Sequence, residues 1–453
     1  MNCWLLAFTP RTLESLSPFM FYDVIVIGAG LAGLMAAEAA QSQGARVLIL
    51  AKGMGSLPLT TGCIDGLGYF PSTSLTPLSS PLRALTQLRE NNPHHPYVIV
   101  GQESISSAMA HFQELGRSGK MPYAGNFNST FLIPTPLGTF HPTCLVPETM
   151  KSGNLSLSGH VLLLGFAGVK DFSPFLAAEN LNLLHSQGKI ARSFRAESLS
   201  SLALAGKAMN ALNLARAFDK KEFREKFIGQ VKPLLKPGER LGLPAVLGFH
   251  DSLAAWSGLQ EKLGVEIFEI PMPPPSVPGL RLYEMLKAHL QQRGVRMIVG
   301  LSALRPLAAP KMLQGFALGD AKNSPAYRAK AFILTTGKFV GGGLDSERGR
   351  IYETLLDLPV LHSRNRKDWF NLRLLTTEGQ PFNVFGVEVD ENLQPTDPGG
   401  QVIYSNLYAA GGIIAHADSM SEKSGGGIAI STGFLAGKLA AALAKASKEN
   451  HEA

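Results

Sequence analysis

Residues 28–33 read Gly-Ala-Gly-Leu-Ala-Gly, a glycine spacing suited to holding a pyrophosphate. Gly28 permits a tight turn after a strand. Gly30 lets phosphates approach the backbone, where Leu31 and Ala32 begin a helix with unpaired N–H groups. Gly33 lets that helix pack closely on the strand. The spacing alone is weak evidence, so its surroundings matter. "DVIVIG" (23–28) is a short apolar run of the kind that forms a buried parallel strand. Residues 31–42 read as a helix stopped by Gly44, and "ARVLIL" (45–50) is the next strand. Together they form a βαβ unit, and they predict dinucleotide binding.

Later segments supply parts for the rest of a flavin. The loop "SLPLTTGCIDGLG" (56–68) offers Thr60, Thr61 and Gly62 to the ribityl chain and ring. "TTG" (335–337) ends a strand expected beside the first, placing Thr336 and Gly337 against the cofactor's middle, unless it is a plain strand–loop turn. Between Tyr408 and Gly433 a strand, a loop and a glycine-opened helix follow in order. Gly412, Gly425, Gly426 and Gly427 would let that helix N-terminus reach the flavin's pyrimidine edge, where its dipole favours negative charge on N1 and O2. The alternative for these glycines is helix packing alone. The acid that usually ends the second strand and bonds the ribose is replaced by Ala51-Lys52. Lys52 is either a phosphate or ribose contact or a solvated charge. The fingerprint favours FAD, and the missing acid leaves FMN open.

Composition narrows the classes. Apolar residues make up 45% of the 453 and charged ones 17%, as in an ordinary soluble α/β enzyme. Three cysteines stand far apart with no CxxC, which excludes an iron–sulfur cluster or structural zinc held by this chain alone and suits a reducing cytosol. Cys63 reads as a buried small residue rather than a redox thiol. A net charge of +7 favours an anionic substrate, an acidic partner or an anionic membrane surface. The cations are dispersed without interleaved aromatics, so nucleic acid is not expected.

The fold class expected is α/β: a Rossmann-like FAD/NAD(P)-binding parallel sheet with an inserted second lobe. Residues 1–19 read as a disordered leader or a mis-assigned start. The flavin-binding domain is discontinuous, 20–110 and 276–453, and 111–275 form the inserted lobe. The boundary near 275 rests on "EIPMPPPSVPG" (269–279), whose five prolines oppose helix or central strand. An amphipathic helix carrying Leu282, Met285, Leu286 and Leu290 should follow it.

These pieces together resemble the B-type flavoprotein of anaerobic glycerol-3-phosphate dehydrogenase, from Met20 to about residue 445. The resemblance is carried by "DVIVIGAGLAGL", "TTGCIDGLG", "GVKDFSPFLAAENL", "PPPSVPGLRLYEML", "ILTTGKFVGGGLDSERGRIYE" and "LYAAGGIIAHAD" with "SGGGIAISTG". It implies oxidation of sn-glycerol 3-phosphate to dihydroxyacetone phosphate. It also implies a second, A-type flavoprotein subunit and a membrane-associated, C-type iron–sulfur subunit passing electrons toward quinone. The location implied is cytoplasmic, peripheral on the inner face of the membrane through those partners. The family is usually credited with FMN in this type of chain. Alcohol oxidation needs a base, and His416 is a weak candidate. A phosphate-bearing substrate needs cations, for which Lys338, Arg348, Arg350 and Lys423 lie beside cofactor segments; Arg348 is favoured by its "SER" context. The other readings are a flavin-holding relay or assembly protein without a substrate site, and a stand-alone oxidoreductase on another alcohol.

Overall fold

The computed structural model describes residues 19–200, 208–301, 303–319 and 325–452. The expected leader lies outside these residues, except Phe19, which already belongs to the first strand.

Strand β1 (Phe19–Ile27) is the axis of a seven-stranded sheet. Val24, Ile25, Val26 and Ile27 are buried, as a strand covered on both faces requires. Helix α1 (Leu31–Ser42) returns the chain to β2 (Val47–Ala51), which pairs parallel to β1 with Val24 opposite Val47. On the other side β1 pairs parallel to the strand Ala326–Leu334, with Ile27 opposite Leu334. The strands expected at 23–28, 45–50, 331–335 and 406–410 therefore share one sheet. The strand Arg296–Val299 extends it beyond β2.

Strand 326–334 changes partners along its length. Residues 326–328 pair antiparallel with 315–317, and residues 332–334 pair parallel with Leu407–Ala409. Asn406 stands at the fork, donating to Leu313 O and Lys330 O and accepting from the Leu313 N–H. The outer strand Leu304–Ala309 carries Pro306 and shifts register between Leu307 and Ala308.

The C-terminal helix Gly425–Glu452 lies along α1. Its stretch Gly425–Ser447 is long and apolar enough to cross a membrane, yet most of it is buried in the protein. Its glycines explain the close packing. A Cβ on Gly433 would stand 2.4 Å from Ala32 O, and one on Gly437 2.3 Å from Ala36 O.

The inserted lobe is a second parallel sheet, of four strands ordered 267–270, 239–244, 159–166, 192–199. Helices 174–186, 211–218 with 221–231, and 252–263 make the crossovers. It has its own core, from Leu155 to Val277. The expected boundary at 111 is corrected. It falls inside the helix Gln102–Ser118, whose Ile105, Ala108, Met109, Phe112 and Leu115 all join the larger core. Met121, Tyr123 and Phe127 follow them there. The proline segment also departs from expectation at its end, because a helix starts within it at Val277. Pro278 sits in the first turn, where a missing N–H costs nothing, and Ser276 caps the helix.

Two ionic clusters tie these parts together. Arg281, on the helix Val277–Gln292, makes a bidentate pair with Glu269 of the inserted sheet at 2.7 and 3.0 Å. Both are buried, and Glu269 also accepts from Thr149 and the Leu247 N–H. Glu38, buried on α1, meets His111, His289 and Arg293 from two other helices. Burial works to raise its carboxyl, but the hydrogen bond from His111 and the nearby charge of His111 and His289 outweigh that and hold it at about 2.

Removing one partner of a buried pair strands the other charge. Glu269→Ala should therefore cost about 3–5 kcal/mol in denaturant unfolding, and a cost near zero would show that the lobes are not clamped there. The Glu38 carboxylate stabilises the fold fully above its ordinary value of 4.5, and that contribution is lost as pH falls toward about 2. Glu38→Gln should accordingly show a shallower acid limb in stability measured against pH.

Candidate functional site

The parallel strands β1, β2, 326–334 and 407–409 end on one edge of the sheet. In open α/β sheets ligands bind at that edge. Here it gathers the turns 28–30, 52–55, 335–337 and 410–412.

The three fingerprint glycines differ in their surroundings. Gly28 has φ +118°, and a Cβ there would lie 2.4 Å from Thr335 O. A Cβ on Gly33 would lie 2.0 Å from Gly28 O, so helix and turn touch. Gly30 is different: the nearest atom to its Cβ position is Gly55 Cα at 3.9 Å. The helix α1 starting at Leu31 and Ala32 has no side-chain cap and no acid in its first turn. Gly30 thus leaves a cradle above uncapped N–H groups, suited to a pyrophosphate. The loop after β2 folds over it, with Gly55 at φ +70°. Lys52 at its start is exposed.

Thr335 ties the two strand ends, its hydroxyl donating to Ile27 O at 2.8 Å. The next hydroxyl, Thr336 Oγ1, is buried with no hydrogen-bond partner. Gly337 turns at φ +72°, and a Cβ on Gly412 would come 3.9 Å from its Cα. The expected turns at 336–337 and 412 therefore adjoin each other, and Gly411 stacks on Ala32. The unpartnered Thr336 hydroxyl at this sheet edge and the open space at Gly30 each suit a flavin nucleotide.

Thr60 and Thr61 hold their own loop, bonding Leu57 O and the Cys63 N–H. Gly62, at φ +78°, lies under Pro278. Cys63 is buried, its Sγ 3.6 Å from Met150 Sδ, and burial pushes its thiol well above the ordinary value. It is not poised as a thiolate.

The three glycines opening the C-terminal helix do not share one role. Gly426 packs on Ile64 and Asp65, and Gly427 donates to Asp65 O at 2.8 Å. A Cβ on Gly427 would stand 2.1 Å from the Tyr97 hydroxyl. Their close approach is to the protein. Gly425 is exposed.

The expected chemical residues sort by partner. His416 sits at φ +72° with Nε2 on Glu388 at 3.2 Å and its ring against His94. Burial holds its imidazolium below the ordinary value despite Glu388. Arg348 is exposed, and Arg350 is engaged by Glu347 and Asp357. Lys338 donates to Asn383 O and to Ala417 O. Burial pulls its ammonium down to about 8, against the attraction of Asp418 and Glu422. Two of its three donors are thus spent on backbone carbonyls. Lys423 is half-buried and makes no ion pair among the described residues.

Two features were not read from the sequence. Asp65 Oδ1 meets His141 Nε2 at 2.8 Å, joining the cofactor loop to the hairpin strand Phe140–Thr143. Lys423 and Pro142 both crowd Gly68, three residues beyond Asp65 in the same loop. Below them runs a buried network. His95 Nδ1 accepts the Tyr97 N–H at 3.1 Å, so Nε2 carries the proton toward Glu422 at 3.2 Å. Ser424 also donates to Glu422, and Tyr97 to Gly66 O. Only the "TTGCIDGLG" loop could have pointed to Asp65; His141 lies 76 residues away with no local motif.

Residues 23–428 match the FAD binding domain family. The B-type chain of a probable anaerobic glycerol-3-phosphate dehydrogenase from Halobacterium salinarum is 31% identical over 427 residues, covering 92% of this chain and 97% of that one. The corresponding B-type chain of the anaerobic glycerol-3-phosphate dehydrogenase of Pectobacterium carotovorum is 31% identical over 417 residues, covering 91% and 96%. The open conformation of a flavocytochrome c3 fumarate reductase shares 10% identity and a TM-score of 0.44, over 94% of this chain and 78% of that one. The cofactor is a flavin, with FAD favoured.

The glycine geometry separates binding from folding. Gly30→Glu places bulk and charge in an open cradle, so the variant should fold and melt like the flavin-free parent and lack flavin absorbance. Gly33→Ala meets Gly28 O at 2.0 Å and should instead destabilise the protein by roughly 1–3 kcal/mol. Normal flavin occupancy in Gly30→Glu would misplace the cradle.

Proposed function

We propose that this chain, which belongs to the FAD binding domain family and within it to the B-type flavoproteins of anaerobic glycerol-3-phosphate dehydrogenase, oxidises sn-glycerol 3-phosphate to dihydroxyacetone phosphate. The observation that carries the substrate site is the Asp65–His141 pair, whose Asp65 lies on the loop expected to follow the flavin ring.

Flavin, when bound, supplies the acceptor for the hydride leaving the carbinol carbon. The chain's own residues do the rest. Asp65 accepts from His141 Nε2–H and fixes the ring, leaving Nδ1 to take up the hydroxyl proton. Lys423 and the exposed N-terminus of the helix at Gly425 offer positive charge to the phosphate. Glu422, on the short helix ending just before Lys423, is bonded by His95 and Ser424, which steadies the segment.

Onward transfer belongs to partners in this reading. Cys63 and Cys144 are both unpaired and buried. Electrons then leave to another chain, and the proposal keeps an A-type flavoprotein and a membrane-associated C-type iron–sulfur protein leading to quinone. The location follows as the cytoplasmic side of the membrane.

His141→Asn should keep its flavin and lose turnover by about 10²–10⁴-fold, measured as dye-linked oxidation of glycerol 3-phosphate by the co-expressed complex. Lys423→Ala should raise KM more than it lowers kcat. Full activity in His141→Asn would remove the base assigned here, and no activity from the complete parent complex would reject the substrate.

A further inference from the structure

Residues 363–377 read Ser-Arg-Asn-Arg-Lys-Asp-Trp-Phe-Asn-Leu-Arg-Leu-Leu-Thr-Thr. The large apolar side chains here point outward. Leu372 is 101% exposed, Leu375 90%, Leu374 78% and Phe370 52%. Scattered exposed leucines are ordinary, but four large apolar residues within six positions are not. Arg364, Arg366, Lys367 and Arg373 surround them, all exposed, against the single acid Asp368 over 364–375. Asp368 is itself engaged by the Ser363 hydroxyl at 3.0 Å.

The loop is built, not slack. Trp369 is buried with Ile351 and Phe385, and its Nε1 donates to Ser363 O at 2.7 Å. Gln380, also buried, donates from one amide to Arg373 O and Leu374 O at 2.8 and 2.9 Å. The same amide accepts the Asn371 N–H, while Asn371 and Thr376 donate to Gly379 O. Two carbonyls of the apolar tip, those of Arg373 and Leu374, and the Asn371 N–H are therefore bonded from within. That matters for the choice of occupant. A low-dielectric medium offers no replacement partners, so each internal bond lowers the cost of entering it.

We propose that this loop docks the chain directly on an anionic lipid bilayer. Phe370, Leu372, Leu374 and Leu375 enter the headgroup–acyl boundary, and the four cations face lipid phosphates. The exposed apolar cluster, the cationic collar around it and the internal bonds to Arg373 O and Leu374 O together favour an anionic bilayer. The inference is independent of which alcohol is oxidised. It also departs from attachment through partners alone.

The test is sedimentation of the flavin-loaded full chain with phosphatidylcholine vesicles, either neutral or about one-third phosphatidylglycerol. The parent should partition to the anionic vesicles, and the binding should weaken with added salt. Leu374→Asp/Leu375→Asp should weaken it at least about tenfold. Leu372→Asp is a second, milder variant, and Arg366→Glu/Lys367→Glu should remove the preference for anionic lipid. Flavin content and melting should not change in any of them, since the altered side chains are exposed. No binding of the parent to either vesicle, or equal binding by the leucine variants, overturns the proposal. So does a leucine variant that binds vesicles normally but fails to co-purify with a co-expressed partner protein, which would make the loop a protein-docking surface.

Discussion

The site depends on there being no side chain where Gly28, Gly33 and Thr335 meet. A Cβ on either glycine would lie within 2.4 Å of a backbone oxygen. That closeness sets how far α1 can approach the strand ends, and Thr335 holds the third element with a bond to Ile27 O. The height of the α1 N-terminus above the sheet edge follows from it. So does the position of Gly411 on Ala32, and through it the entry of the C-terminal helix. The same helix repeats the device at Gly433 and Gly437. One steric condition thus propagates along two helices.

Around this frame, charge does what packing alone does not. Glu38 joins three helices on the face of α1 away from the cradle, and Glu269–Arg281 joins the inserted lobe to the rest. Glu269–Arg281 is buried on both sides, so it is costly to break and weakly stabilising on balance, while Glu38 is buried with partners that reach solvent. Their value is in fixing where the elements sit. The His95–Glu422–Ser424 network plays the same part under Lys423.

What was readable in the sequence was local. The turn 28–33, the strands at 47 and 331 and the helix bearing Leu282, Leu286 and Leu290 each carry their pattern within a dozen residues. The parallel sheet of the inserted lobe was less legible, although "HVLLLGF" gave its first strand. Strand 192–199 alternates with half-buried Arg195 and Glu197, and so does not look like a core strand. The boundary at 111 erred because the apolar spacing from Ile105 to Leu115 continues past it. At the site, Gly28 and Gly33 announce themselves, since close backbone packing demands glycine, while Gly30 is legible only through its spacing to them. Gly426 and Gly427 mislead, because glycine required by Tyr97 and Asp65 looks the same as glycine required by a ligand. His141 was invisible: its partner Asp65 arrives through a tertiary contact.

The outer strand 304–309 has a consequence beyond the fold. It is a terminal strand of the larger sheet, and its far side is unmatched by any described strand. Such a margin is a template on which a second copy could nucleate cross-chain pairing. Pro306 withdraws one donor from that margin, and the register shift at Leu307–Ala308 bends the remaining ones out of line. Arg305 and Ala308, exposed on this strand, add little apolar attraction. The chain is thereby guarded against edge-on fibril growth, a hazard that matters most while the long stretch between β1 and residue 326 is still being synthesised and the sheet is incomplete.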